Sequence, residues 1–224
     1  MEILGIFVKH PQPGKVKTRL AAEVGPEPAA QFYAAFMEDL MERFQQSGET
    51  RFLCYSPANE NAQAYFQALA GDAFELWPQP ELSLGERLSA FFDFAFSFAK
   101  KTNELPKVVV MGSDSPTLPG EIVEEAFRKL DTHDIVLGPA TDGGYYLIGQ
   151  KVMNRSVFKN ISWSESRVLE QTISRISECQ ASLALLPLWY DVDTADDLQL
   201  LRGHLKALKH SGNNIHIPRV EKLL

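Results

Sequence analysis

Hydrophobic residues recur along this chain in two styles, short unbroken runs and longer stripes with a period near 3.6. The runs are Ile3–Lys9, Arg51–Ser56, Phe74–Trp77, Lys107–Gly112, Asp134–Gly138, Tyr145–Gly149 and Leu183–Leu188. Several are rich in Val, Ile, Leu and Phe with few interspersed charges, the signature of strands buried on both faces. Between them lie helical stripes. In Glu27–Phe44, Phe32, Phe36, Leu40 and Phe44 recur every four residues beside Met37 and Met41, which predicts a core-facing helix. Asn61–Leu69, Leu84–Ala99, Gly120–Leu130, the segment from Ser164 to about Cys179, and the stretch after Thr194 read as helices too. Strand and helix thus alternate, which implies right-handed crossovers and an α/β fold with a mostly parallel central sheet flanked by helices. The pattern supports a single domain over residues 1–208. Residues 209–224 read as a polar C-terminal tail with a short apolar end, a strand or a docking segment.

Composition narrows this picture in three ways. The 224 residues carry a formal net charge of −7, so no global basic field invites nucleic acid. No apolar run approaches the ~20 residues of a membrane span. The first residues enter a strand pattern directly, without a basic leader segment, which points to a cytoplasmic protein. Cys54 and Cys179 lie far apart in apolar settings with no metal or redox spacing, and are expected to be reduced and buried. None of the histidines falls in a metal or triad spacing, and no Gly-x-Ser-x-Gly elbow occurs, which argues against a zinc site or a hydrolase triad.

Candidate chemistry clusters at the carboxyl ends of the strands, where open parallel sheets bind ligands. Lys107–Gly112 stops abruptly, and Asp114 follows with Pro116 blocking an immediate helix. A carboxylate there is placed either to hold Mg²⁺ against a diphosphate or to cap the helix expected near Leu118. After the first strand, Lys9, Lys15, Lys17 and Arg19 surround two prolines and Gly14 with no acidic residue between them. In an acidic protein this is a candidate anion site, with Gly14 allowing close backbone approach and Lys17 and Arg19 supplying charge. It lacks the spacing of a P-loop. Arg87, before the Phe-rich helix, either reaches a phosphate or sits in an exposed first turn, and the loop ahead of it is placed to edge a nucleobase pocket. Asp142-Gly143-Gly144 is either a hairpin turn or a place where substrate lies against backbone while Asp142 touches its hydroxyls or the metal. Asp191 and Asp193 flank Val192 on extended backbone and are read as facing opposite ways, one of them joining Asp114 on a metal. Asp196 and Asp197 after Thr194 read as helix-start residues.

Taken together, Phe7-Val8-Lys9, Pro13-Gly14-x-x-Lys17-Thr18-Arg19-Leu20, Leu84-Gly85-Glu86-Arg87, Gly112-Ser113-Asp114-Ser115-Pro116, Gly138–Tyr146 and Asp191-Val192-Asp193-Thr194 resemble a bacterial glycosyltransferase-like family. That family belongs to the nucleotide-diphospho-sugar transferase superfamily with the GT-A fold, and the resemblance spans about residues 3 to 200. It implies a single GT-A domain with a nucleotide over the first strands and Mg²⁺ or Mn²⁺ bridging its phosphates to Asp114. Carried over, Lys9, Lys17 and Arg19 hold phosphates, and Asp142 and Asp193 are the further carboxylates. One departure stands out. GT-A glycosyltransferases usually carry Asp-x-Asp at the metal, whereas Asp114-Ser115-Pro116 is similar to small nucleotidyltransferases such as molybdenum-cofactor guanylyltransferase. Lys9 with Lys17–Leu20 is also similar to phospholactate guanylyltransferase.

The expectation is therefore a metal-dependent transferase moving a sugar from a nucleotide-diphospho-sugar to a small acceptor. The alternatives are nucleotidyl transfer from a nucleoside triphosphate with release of pyrophosphate, and a non-catalytic nucleotide-binding module. The Phe-rich helix at Leu84–Ala99 has apolar surface to spare if one face is exposed, as a homo-oligomer would require.

Overall fold

The computed structural model describes residues 1–101, 105–213 and 215–224, so Asn214 of the expected tail lies outside the described residues. Among the described residues seven strands form one sheet: β1 (Glu2–Lys9), β2 (Thr50–Ser56), β3 (Glu75–Pro78), β4 (Lys107–Met111), β5 (Ile135–Pro139), β6 (Tyr145–Gln150) and β7 (Leu183–Leu185). Their order is β3-β2-β1-β4-β6-β5-β7. Neighbours are parallel except around β6, which runs antiparallel to both β4 and β5. The Asp142 segment does make the hairpin between β5 and β6, with the Gly143 amide donating to the Ala140 carbonyl at 3.2 Å.

The helices are α1 (Thr18–Val24), α2 (Pro26–Phe44), α3 (Glu60–Ala70), α4 (Leu84–Lys100), α5 (Gly120–Lys129), α6 (Val168–Glu178), α7 (Ala195–His210) and α8 (Pro218–Leu223). They cover both faces of the sheet. Met37, Leu40 and Phe44 of α2 pack with Leu4, Ile6 and Val109 on one face, and Phe91, Phe92 and Ala95 of α4 with Ile3, Val108 and Val110 on the other. A strand buried from both sides must be apolar at consecutive positions, which is why β1 and β4 read as unbroken runs. Among the described residues no helix is long and apolar enough to cross a membrane.

Two differences from the sequence reading bear on the site. No helix is expected between the first strand and Glu27, yet Thr18 opens the short α1, whose buried Leu20 anchors it. The helix expected from Ser164 starts at Val168 instead. Ser164 adopts φ +70°, a left-handed conformation that a helix cannot continue through.

The C-terminal segment docks on α2. Its anchor is Asp39, whose buried carboxylate accepts from the Arg219 amide at 3.1 Å, the Val220 amide at 3.0 Å and Arg219 Nη1 at 2.9 Å. Ile217 and Val220 are buried behind these bonds.

Candidate active site

A cleft of about 1010 Å³ opens at the carboxyl ends of β1 and β4. Its position follows from the topology: β1 and β4 are parallel neighbours, so the loops after both strands emerge at one edge. Lys9, Lys17, Arg19, Arg87, Asp114, Asp142, Asp191 and Asp193, from segments far apart in sequence, all line it.

Lys17 is the centre of the arrangement. Its side chain is 3% exposed and forms ion pairs with Asp114 and, at 2.8 Å, with Asp193 Oδ1. Below, Nζ faces the Tyr33 and Phe36 rings at 5.7 and 5.8 Å, so two aromatic faces of α2 complete the cage. Burial alone would lower the ammonium's pKa, but the two carboxylates outweigh it and hold the group protonated well above its ordinary range. Arg19, largely exposed, pairs with the other oxygen of Asp193. Burial works against the Asp193 carboxylate, yet Lys17, Arg19 and Lys9 together keep it below its ordinary value.

Asp114 does not cap a helix. Pro119 stands at the start of α5, and the Asp114 carboxylate turns to Lys17 instead. Backbone bonding fixes its relation to the last acids, since the Val192 amide donates to the Asp114 carbonyl at 2.9 Å. Val192 itself is fully buried. The expectation that Asp191 and Asp193 face opposite ways does not hold, because both line the cleft. Two residues apart on extended backbone share a side, while the residue between them points to the other. Asp191 accepts from the Ser115 hydroxyl, and its burial beside Asp114 pushes its carboxyl up to about 6.

A buried relay supports the floor. The Lys9 amide donates to the Tyr33 hydroxyl at 2.9 Å. Tyr33 and Ser113 are 2.8 Å apart, and the Ser113 hydroxyl donates to the Phe7 carbonyl at 3.0 Å. The relay ties the ends of β1 and β4 together under the ion pairs. On the β3 side, the buried Gln79 side chain donates from Nε2 to the Cys54 carbonyl across the sheet edge.

Other candidates fall at the rim. Arg87 lines the cleft while its Nε donates to the Leu82 carbonyl at 2.7 Å, which holds the loop before α4. The start of α4 is a capping box in which Ser83 and Glu86 satisfy each other. Gly14 is not on the cleft wall. It takes φ +74° in the turn that Lys15 closes onto Gln12, with open space where a Cβ would stand. Asp142 Oδ1 accepts from the Gly144 amide at 2.8 Å, so the acid shapes the hairpin turn and also faces the cleft. Gly143 does not offer its backbone to a substrate, since the Ser166 carbonyl covers it. Asp197 forms a capping box with Thr194, as expected for the start of α7.

The sequence reading missed Tyr33, Ser113, Gln79 and Trp163, all of which line the cleft. Tyr33 and Phe36 look like core positions in a helical stripe. Gln79, a lone amide between two prolines, was the one visible signal.

Among the described residues no three His, Cys, Asp or Glu side chains converge as a ready metal cage. The donor chemistry is nonetheless that of a site completed by substrate. Asp114 and Asp193 are 45% and 26% exposed and present hard oxygens on either side of Lys17. Magnesium and manganese sites that use one or two carboxylates plus phosphate oxygens need no more from the protein.

A mostly parallel seven-stranded sheet with such a cleft at its carboxyl edge has the fold of nucleotide-diphospho-sugar transferases and nucleotidyltransferases. The chain belongs to the bacterial family DUF2064, described as an uncharacterized protein conserved in bacteria, whose profile matches residues 40–165. It is similar to a protein from Desulfovibrio desulfuricans G20 provisionally described as a nucleotide-diphospho-sugar transferase. The two are 36% identical over 94% of this chain and 88% of that one, with a TM-score of 0.85. Two more distant structures share the fold. A Methanothermobacter nucleotidyl transferase is 11% identical over 91% of this chain and 97% of its own, with a TM-score of 0.58. CMP:2-keto-3-deoxy-manno-octonic acid synthetase, solved with CTP, is 13% identical over 92% and 98%, with a TM-score of 0.51. No curated protein matches the chain.

Proposed function

We propose that this protein is a divalent-metal-dependent transferase acting on a nucleotide-activated donor, and that the reaction is transfer of a sugar from a nucleotide-diphospho-sugar to a small acceptor. The observation that carries the reading is Lys17, caged between Asp114 and Asp193 at the carboxyl edge of the sheet. A diphosphate entering there meets the charges of Lys9 and Arg19, with the buried Lys17 behind them. Asp114 and Asp193, the carboxylates that flank Lys17, would hold Mg²⁺ or Mn²⁺. When bound, such an ion supplies Lewis-acid neutralisation of charge on the leaving diphosphate. Lys17 and Arg19 act on the same charge from the protein's side, pre-oriented by their carboxylate partners. Asp142 faces the acceptor region and would take the acceptor's proton. The sequence similarity to the Desulfovibrio protein supports the same donor class.

Nucleotidyl transfer is the second reading. It is favoured by the triplet Asp114-Ser115-Pro116, in which Pro116 stands where glycosyltransferases carry a second acid and Ser115 gives its hydroxyl to Asp191.

Melting of the purified protein against nucleoside triphosphates and nucleotide-diphospho-sugars, each with and without Mg²⁺ or Mn²⁺, tests both. A ligand bound only by the folded state raises the melting temperature according to its occupancy. A metal-dependent rise with sugar nucleotides, lost in Asp114→Asn, is expected, with free nucleoside diphosphate as the product. Pyrophosphate as the product would select the second reading. Binding without turnover would make the chain a nucleotide-binding module, and no rise with any ligand would sink the nucleotide reading altogether.

A further inference from the structure

The cleft is divided by charge. Its cations, Lys9, Lys15, Lys17, Arg19 and Arg87, all come from the β1 end, the loop after it, α1 and α4. A second wall is made by the Asp142 turn and the loop from Trp163 to Ser166, and it contributes carboxylates, hydroxyls and an indole without a single cation to the lining.

That wall is one built unit. A Cβ on Gly143 would lie 2.1 Å from the Ser166 carbonyl oxygen, and the Leu169 amide donates to the Gly143 carbonyl at 2.9 Å, so turn and loop are in direct contact. Trp163 packs edge-on against Tyr145, with ring centroids 6.4 Å apart. Its indole also closes over Gly85 at the start of α4, where a Cβ would meet Nε1 at 2.6 Å. Arg167 pairs with Glu165 at 3.0 Å but is not part of the cleft lining, so the Glu165 charge is partly balanced from outside.

We infer that this wall is the acceptor subsite and that it selects an uncharged polyhydroxyl compound, a polyol or free sugar, against phosphorylated or carboxylated ones. The inference rests on the transferase reading above and adds the acceptor's chemical class. Carboxylates accept hydrogen bonds from neutral hydroxyls and repel an acid. The half-buried indole offers an apolar face for the C–H side of such a molecule. In the transfer itself an acceptor hydroxyl oxygen forms the bond to the sugar's anomeric carbon as that carbon's bond to the diphosphate oxygen breaks. The electron pair leaves with the nucleoside diphosphate, and the hydroxyl proton goes to the Asp142 carboxylate.

The test is saturation-transfer NMR on the full chain with Mg²⁺ and a nucleoside diphosphate present. Glycerol and myo-inositol serve as neutral probes, and glycerol 3-phosphate and glycerate as anionic ones. The neutral probes should give the stronger transfer by about tenfold, the discrimination expected of one like-charge contact in a partly solvated cleft. Glu165 is exposed, so Glu165→Gln and Glu165→Lys should fold. The first should weaken the discrimination and the second should admit glycerol 3-phosphate. Anionic probes binding as well as neutral ones to the unaltered protein would overturn the inference. So would binding by neither class, or a preference unmoved by Glu165→Lys. Melting with the nucleotide alone is read separately: a nucleotide shift with the wrong probe preference sinks only the acceptor class, whereas no nucleotide shift sinks the transferase reading itself.

Discussion

Lys17 donates to Asp193 across 176 residues of chain, Nζ to Oδ1 at 2.8 Å, and this bond joins the loop after the first strand to the loop after the last. Because the lysine is buried with Asp114 as second partner, it holds two acids together that would otherwise repel. In the metal-free protein Lys17→Met leaves Asp114 without its cation and Asp193 with Arg19 alone. The expected loss is about 1–3 kcal/mol of stability, below that of a fully buried pair because both acids reach water. Urea unfolding measures it, and millimolar Mg²⁺ or Mn²⁺ should return part of the loss if Asp114 and Asp193 are the metal ligands. An unfolding midpoint equal to that of the unaltered protein would show that the cage contributes nothing.

Asp191 gives a pH prediction. Burial raises its folded-state carboxyl to about 6 from an ordinary 3.8. Between those values the folded chain keeps a proton that the unfolded chain has released, so this group's contribution to stability is full below the lower value and lost as pH rises through the upper one. Near neutral pH the buried charge therefore costs stability. Asp191→Asn keeps an acceptor for the Ser115 hydroxyl and removes the charge, so in the presence of a chelator it should unfold later by about 1–3 kcal/mol at pH ~7.5. The gain should shrink by more than half near pH ~4.5. A gain independent of pH would mean that Asp191 is not the titrating group.

The strands were legible because a buried parallel strand leaves a continuous apolar run, and the sheet edge carrying the site followed from where those runs stop. Asp114, Lys17 and Asp193 were each visible as charges at strand ends. Their mutual pairing was not, because it depends on strand order, and nothing local in the sequence places β4 beside β1. The aromatic cage under Lys17 was hidden for another reason. Tyr33 and Phe36 obey the same helical period as the core residues beside them, and only the packed position of α2 gives them a second role. The loop at Ser164–Arg167 misled because its Ser and Glu residues resemble a helix start. Its path is set instead by contact with Gly143, a long-range effect.

That contact can be tested against a control. Gly143 and Gly14 both have positive φ, +88° and +74°, so alanine strains the backbone at either. At Gly14 nothing stands within 4 Å of the new Cβ, and the cost should be about 1 kcal/mol. At Gly143 the Cβ would meet the Ser166 carbonyl oxygen, so loop and hairpin must part. Gly143→Ala should therefore cost about 2–4 kcal/mol, the added part coming from lost packing. Equal losses in the two variants, by urea unfolding, would mean that the Gly143–Ser166 contact does not hold the turn and the loop together.

The last prediction concerns the C-terminal helix. Asp39 is a fully buried carboxylate whose oxygens take the Arg219 and Val220 amides and the Arg219 guanidinium. Removing the acid takes the acceptor from the Arg219 and Val220 amides, whereas the guanidinium keeps Glu38 and Glu42, at a cost of about 1–3 kcal/mol. Since α8 contacts the domain mainly through α2, the loss should fall on local release of the helix rather than on global unfolding. Asp39→Ala is expected to expose the Arg219 and Lys222 peptide bonds to trypsin and to speed amide exchange in α8, with the melting temperature of the sheet little changed. Arg219→Ala keeps both backbone donors on Asp39 and should therefore release α8 less. Because Arg219→Ala also removes a trypsin site, the two variants are compared by amide exchange, and equally fast exchange in α8 would make the guanidinium, and not the backbone bonds to Asp39, the anchor.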